Sequence, residues 1–172
     1  MPRDIREPLQ LICDTREQNC WAWEPQDAVV TFAGLSAGDY AMARDVQAVR
    51  GRELCAVRFS IERKSVEDFC SSVSTGWDRL QREMDRMAAM PSRVIIVEGD
   101  FVSLCFSECD GKIIPPQHSH PMLTPSFMAR RIAELTMQSI CVLFAGDAGM
   151  AAALALHIFR RRAELLNSEQ KT

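Results

Sequence analysis

The sequence predicts one α/β domain built on a mixed sheet flanked by helices. Three observations carry that reading. The first half of the chain passes through short apolar segments parted by turn residues, the pattern of successive strands. The second half alternates helix-period segments with apolar runs at 94–97 and 140–144, which places helices against the sheet. The length of 172 residues suffices for one well-buried core but not for two, and no repeat, low-complexity tract or linker divides the chain.

Taken in order, residues 9–13 form a short apolar strand that ends on Asp14. Residues 14–27 carry Trp21, Trp23 and Pro25 and are expected as a loop with aromatic anchors. Residues 29–32 and 39–43 read as two strands joined through Gly34 to Gly38 in an irregular hairpin. Residues 55–64 form the most informative strand. At a period of two, Cys55, Val57, Phe59 and Ile61 share an apolar face, and Arg58, Ser60, Glu62 and Lys64 share a polar one.

Ser65 is placed to cap the next helix, with Asp68 three residues on, as in a capping box. Gly76 breaks that helix. A second helix runs over 78–90 with Leu80, Met84, Met87 and Ala88 inward, and Pro91 ends it. The β-branched run 94–97 is a buried parallel strand, and the proline-flanked segment 115–121 is a loop. Thr124 caps a further helix with Pro125 in its first position, where the missing N–H costs nothing. Residues 140–144 are another buried strand. Residues 148–166 form an amphipathic helix whose stripe of Met150, Leu154, Ile158 and Leu165 faces the core. Arg160, Arg161 and Arg162 read as a helix-end cluster complementing the macrodipole.

Composition narrows the function. The formal net charge of −3 excludes a whole-protein basic field of the kind that coats nucleic acid. It leaves room for a hydrolase whose acidic centre offsets arginines elsewhere. The seven cysteines are odd in number and scattered, the usage of reduced thiols in a cytosolic protein. Residues 1–8 are charged and lack the apolar core of a secretory signal, and no run is long enough to span a bilayer. An intracellular, cytoplasmic protein with no membrane partner is expected.

The polar residues fit one chemistry. Glu62 and Lys64 point the same way, about 7 Å apart along a strand rising ~3.3 Å per residue. Asp39 follows Gly38 at the start of a strand, and Asp14, Arg16 and Glu17 follow the first one. Phosphodiester hydrolysis needs a divalent cation to stabilise negative charge and lower the pKa of the attacking water. Mg²⁺ or Mn²⁺ takes oxygen ligands and keeps several waters, so two or three carboxylates suffice. Asp39 and Glu62 are the primary candidate ligands, with Asp14 next. Lys64 would orient the water or neutralise the phosphate. The Arg63 carbonyl offers a further ligand, and its side chain either touches substrate or structures the site.

Asp14-Thr15-Arg16-Glu17, Gly38-Asp39, Glu62-Arg63-Lys64 and Asp68 together resemble the nuclease domain of the XPF family. These are structure-specific DNA endonucleases of the PD-(D/E)xK, restriction-endonuclease-like superfamily. The family signature is Gly-Asp, a variable gap, Glu-Arg-Lys, three residues and Asp, and every fixed position is present here. Gly76, Arg79 and Gln81 resemble downstream family positions, although Trp77 and Asp78 separate the glycine and arginine that the family usually keeps adjacent. The resemblance spans 9–166, leaving 1–8 and 167–172 as flexible termini. It implies a restriction-endonuclease-like fold, a metal-dependent endonuclease acting on flap- or fork-like DNA, and a homodimer through the C-terminal helical region. The sequence carries neither a tandem helix-hairpin-helix module nor a helicase-like segment, and so resembles the compact phage or bacterial type.

Blander explanations stand beside several of these readings. A catalytically silent nuclease-like subunit that binds DNA is the main competitor, but such domains typically lose the acids or the lysine. Asp68 has an independent capping role, and Arg16 and Glu17 could simply pair with each other. Arg79 and Arg82, the candidate substrate contacts, recur with Arg86 at helical spacing among Glu83 and Asp85, which also describes a solvated, salt-bridged face. Trp21 and Trp23 fit core packing better than base stacking. Cys105, Cys109, His118 and His120 lack the spacing of a standard zinc finger.

Overall fold

A computed structural model describes residues 7–51, 53–105, 107–109, 112–114 and 123–169, with backbone alone at 103, 105, 107–109, 112–114 and 169. In chain order the strands are β1 (Leu9–Asp14), β2 (Ala28–Ala33), β3 (Tyr40–Met42), β4 (Val46–Gln47), β5 (Ala56–Val57), β6 (Ile61–Ser65), β7 (Arg93–Glu98), β8 (Ser107–Cys109), β9 (Lys112–Ile114) and β10 (Ile140–Phe144). The helices are α1 (Val66–Val73), α2 (Trp77–Arg86), α3 (Phe101–Cys105), α4 (Pro125–Met137) and α5 (Ala148–Glu169). The candidate zinc residues Cys105, Cys109, His118 and His120, and the expected loop at 115–121, lie outside the described side chains and residues.

Six strands form the central mixed sheet in the order β10-β7-β6-β3-β1-β2. β7 is parallel to both β6 and β10, as its β-branched run predicted, while β3 lies antiparallel to β1 and β6. Strand alternation divides the interior in two. Leu11, Tyr40, Ile61, Val94 and Ile96 face α5, where Ala151, Ala155 and Phe159 fill the space between helix and sheet. Ile95 and Val97 face the other way, onto Phe69 of α1, Leu80 and Met84 of α2, and Met128 and Leu135 of α4. β7 is thus buried on both faces from Val94 to Val97. That is the expected mixed sheet between helices.

Several expectations change. β2 and β3 are not a hairpin, because β1 lies between them: β2 runs parallel to β1 on one side and β3 antiparallel on the other. The connection is anchored by fully buried Leu35, while β2 becomes an edge with Phe32 62% exposed. The strand foreseen over 55–64 is two short ones, β5 and β6, separated at 58–60, where Phe59 and Ser60 are both buried. Ser60 therefore does not belong to a wet face.

α2 ends at Arg86, which leaves Met87 buried in a turn and Ala88 exposed. β10 is an edge strand, so Cys141 is exposed and Ile140 is its one fully inward residue. On α5 the small residues Ala151, Ala152 and Ala155 take the core face with Leu156 and Phe159, letting the helix sit close to the sheet. Met150 and Leu165 turn outward. The arginines at 160–162 precede the end of α5: Arg160 and Arg162 tie it to Asp27 and, at 2.9 Å, to buried Asp45, while Arg161 pairs with Glu164 within the helix. Trp21 stacks on Tyr40, and Trp23 packs edge-on and donates to the Ala152 carbonyl, so both are structural.

Candidate active site

The site forms where β1, β3 and β6 bring their polar ends together. β1 delivers Asp14 at its last position, and the Asp14 N–H donates to the Asp39 carbonyl at 2.8 Å. Asp39 in turn donates its N–H to the Ile61 carbonyl at 2.9 Å, so three strands fix one short stretch of backbone. Gly38 makes this approach possible. Its φ of +72° suits only glycine well, and a Cβ there would lie 2.3 Å from Ser60 Oγ. The Gly-Asp pair is a packing requirement as well as a chemical one.

Pleating sets which side chains meet. Asp14, Asp39, Glu62 and Lys64 lie on the sheet face that carries α1 and α2, whereas Cys13, Tyr40, Arg63 and Glu98 lie on the face toward α5. On the first face Lys64 Nζ is 3.0 Å from Glu62 Oε1. Burial works against the charged ammonium, but Glu62, Glu83 and Asp39 outweigh it and hold the Lys64 pKa above its ordinary value. Asp39 is pushed up to about 8, first by burial and then by the neighbouring Glu62 carboxylate, against the Arg63 backbone N–H that stabilises its charge. Two carboxylates crowded in this way are short of positive charge.

Each has an oxygen to offer. Among the described residues, Asp39 Oδ2 accepts from the Arg63 N–H at 2.7 Å and Glu62 Oε1 from Lys64, leaving Asp39 Oδ1 and Glu62 Oε2 without a hydrogen-bond donor. No cluster of three or more metal-binding side chains occurs among the described residues. The donor set therefore fits a partly hydrated hard cation on two carboxylates, not a protein cage. Asp14 is differently placed. Its buried carboxylate accepts from the Arg16 N–H, Nε and Nη2 and from the Leu35 N–H at 2.6–2.9 Å. Burial alone would raise its pKa, but the bonds from Arg16 and Leu35 prevail and lower it. Asp14 reaches a cation only by exchanging one of these bonds.

Arg16 and Glu17 do not pair with each other. Arg16 takes Asp14 and the Leu35 carbonyl, and Glu17 takes Arg63 Nη1 at 3.2 Å. The guanidinium of Arg63 lies behind the sheet, forked onto Glu98 at 2.8 and 2.6 Å, so its side chain structures the site. Glu98 also accepts from Trp21 Nε1 at 2.6 Å. Asp68 is exposed and engaged with the N-cap: its N–H donates to Ser65 Oγ, and the Ser65 hydroxyl, rather than the backbone N–H of a full capping box, donates to its carboxylate. On α2, Arg79 and Arg82 are exposed, with Arg79 3.6 Å from Glu83. Gln81 is turned inward with Nε2 buried.

Sequence reading missed Glu98 and Glu83. Glu98 closes an apolar strand just as Asp14 does, a signal that was available. Nothing in the sequence places Glu83 near Lys64.

The ERCC4 domain matches residues 13–155, from the end of the Asp14 strand to the middle of α5. The chain belongs to the ERCC4 domain family. This is the XPF nuclease family that the motifs resembled. Among curated proteins, none matches the sequence. Among solved structures, XPF from Aeropyrum pernix is similar, with a TM-score of 0.60 and 21% identity over 94% of this chain and 69% of that one. XPF from Aeropyrum pernix in complex with DNA gives a TM-score of 0.56 and 20% identity over 91% of this chain. The match covers 65% of that protein, just under two thirds of its length. At this identity the likeness establishes the ERCC4 fold: a mixed sheet flanked by helices in one domain.

Proposed function

We propose that this ERCC4 domain is a divalent-metal-dependent DNA endonuclease that hydrolyses phosphodiester bonds. The observation that carries this reading is the crowding of Asp39 against Glu62 beside the buried ammonium of Lys64. Burying two carboxylates together costs free energy unless a cation joins them.

Asp39 and Glu62 would hold Mg²⁺ or Mn²⁺, with Asp14 joining them by exchanging a bond to Arg16. The bound cation supplies Lewis-acid stabilisation of the phosphate charge and acidifies water. Glu62 holds Lys64 in place, so its ammonium stands ready to orient the attacking water or offset charge building on the phosphate. The Arg63 N–H keeps Asp39 in position, and Arg16 keeps Asp14 ionised. Arg79 and Arg82, exposed on α2 beside the site, would meet DNA phosphates. The DNA-bound XPF structure supports DNA as the substrate class, and a homodimer through α5 accords with the outward Met150 and Leu165.

The deciding experiment incubates the protein with flap, fork, duplex and single-stranded DNA in Mg²⁺, Mn²⁺ or EDTA. Cleavage is expected with metal, absent in EDTA, and lost in Glu62→Gln and Lys64→Ala. Cleavage that persists in EDTA or in both variants overturns the mechanism. DNA binding without cleavage of any substrate assigns the chain to the silent-subunit class.

A further inference from the structure

Behind the acidic face, Cys13 of β1 and Cys20 of the following loop bring their sulfurs to 2.8 Å. They are seven positions apart, and between them lie Asp14, the last residue of β1, and Arg16 and Glu17 of the loop. Cys13 is fully buried in the α5-side core, whereas Cys20 is partly exposed and lines a cavity of about 440 Å³ with Asn19, Ala148 and Gly149. The two thiols also contact the loop backbone: Cys13 Sγ lies 3.7 Å from the Asp14 carbonyl oxygen and Cys20 Sγ 3.8 Å from that of Glu17.

We propose that Cys13 and Cys20 are a redox modification site, oxidised by peroxide to a reversible disulfide that staples the Asp14–Glu17 loop to β1. The accessible thiol faces the cavity and its partner is already in contact, the arrangement of a reacting and a resolving cysteine. The Cys20 sulfur attacks one oxygen of hydrogen peroxide, giving a sulfenic acid and, with the thiol proton, one water. The Cys13 sulfur then attacks the sulfenic sulfur. The S–S bond forms, and the leaving hydroxide takes the Cys13 proton as a second water. Two thiols and one peroxide become one disulfide and two waters. The sulfurs close from 2.8 Å to about 2.05 Å.

The inference is independent of nuclease activity, because its readouts are the bond and the fold. The intact protein is treated with hydrogen peroxide, remaining thiols are alkylated, and the peptides are mapped by mass with and without dithiothreitol. A peptide pair joining Cys13 to Cys20, short of two hydrogens and released by dithiothreitol, is expected. The melting temperature of the oxidised protein is expected to rise by about 5 °C and return on reduction. Cys20→Ser should show neither change. Should that variant misfold, wild-type protein alkylated before peroxide serves as the same control. Oxidation of exposed Cys141 alone, a Cys20 link to any other cysteine, or Cys20 carried to sulfinic acid without a link overturns the proposal.

Discussion

Arg63 holds Asp39 from one side of the sheet and Glu98 from the other. Its backbone N–H donates to Asp39 Oδ2 at 2.7 Å, while its guanidinium forks onto Glu98 behind β6. The position of a front-face carboxylate therefore depends on an ion pair at the back. Both partners are largely buried, with side chains only 12% and 10% exposed. Removing Glu98 leaves the largely buried guanidinium with Glu17 alone, at 3.2 Å. Glu98→Ala is expected to destabilise the fold by about 3 kcal/mol and to weaken Mn²⁺ binding. Urea denaturation and Mn²⁺ titration check this, and a loss below ~1 kcal/mol would show the pair to be dispensable.

Gly38→Ala tests the close approach that puts Asp39 in place. A left-handed backbone costs an alanine about 1–2 kcal/mol, and the added methyl collides with Ser60 Oγ and Cβ. Reduced thermal stability and loss of cleavage are expected together. Ser60→Gly in the same chain should restore part of both, since it removes the atoms struck. No rescue would mean that the backbone conformation alone sets the cost.

Asp39 makes metal-free stability pH-dependent with a definite sign. Its folded pKa of about 8 lies above the ordinary 3.8, so between these values the folded state binds the extra proton. Its contribution is complete below about pH 4, falls as pH rises, and is lost above about pH 8. Asp14 works oppositely: its lowered pKa gives stability above the ordinary value that is lost on acidification. Thermal melts in EDTA should show stability declining from mildly acidic to alkaline pH. Saturating Mg²⁺ or Asp39→Asn should flatten that decline; an unchanged slope in Asp39→Asn contradicts the assignment.

Asp68 and Glu62 should separate stability from chemistry. Asp68→Ala removes only the acceptor of the Ser65 hydroxyl and is expected to cost under about 1 kcal/mol, with cleavage changed only a few-fold. Glu62→Gln removes a crowded charge and should leave the fold intact while lowering cleavage by roughly a hundredfold or more. Paired melts and single-turnover rates test both. A large catalytic loss in Asp68→Ala would place that carboxylate in the reaction.

Arg79→Ala and Arg82→Ala bear on DNA contact. Each is expected to weaken binding similarly across DNA sequences and to lower the salt dependence of affinity by about one charge. Fluorescence anisotropy over a series of salt concentrations measures both. An unaltered salt slope would leave Arg79 as the partner of Glu83 and no more.

Features with local causes were legible in the order of residues alone. Short apolar runs marked the strands β1, β7 and β10, helix-period patterns marked α2 and α5, and cap residues placed the starts of α1 and α4 at Ser65 and Thr124; α3 left no such signal. Motif spacing marked Asp14, Asp39, Glu62 and Lys64, since adjacency within a strand fixes which side chains share a face. Tertiary structure decided what depends on pairing at a distance. No local signal put β1 between β2 and β3, because strand order follows from which faces bury most apolar surface once α5 docks. Docking likewise set the alanine face of α5 against the sheet, since small side chains permit close packing, with Leu154 and Ile158 at the margin of that core and Met150 and Leu165 turned outward. It also turned Arg63 away from the substrate side: alternation sends it behind the sheet, and there Glu98 and Glu17, remote in sequence, satisfy its charge.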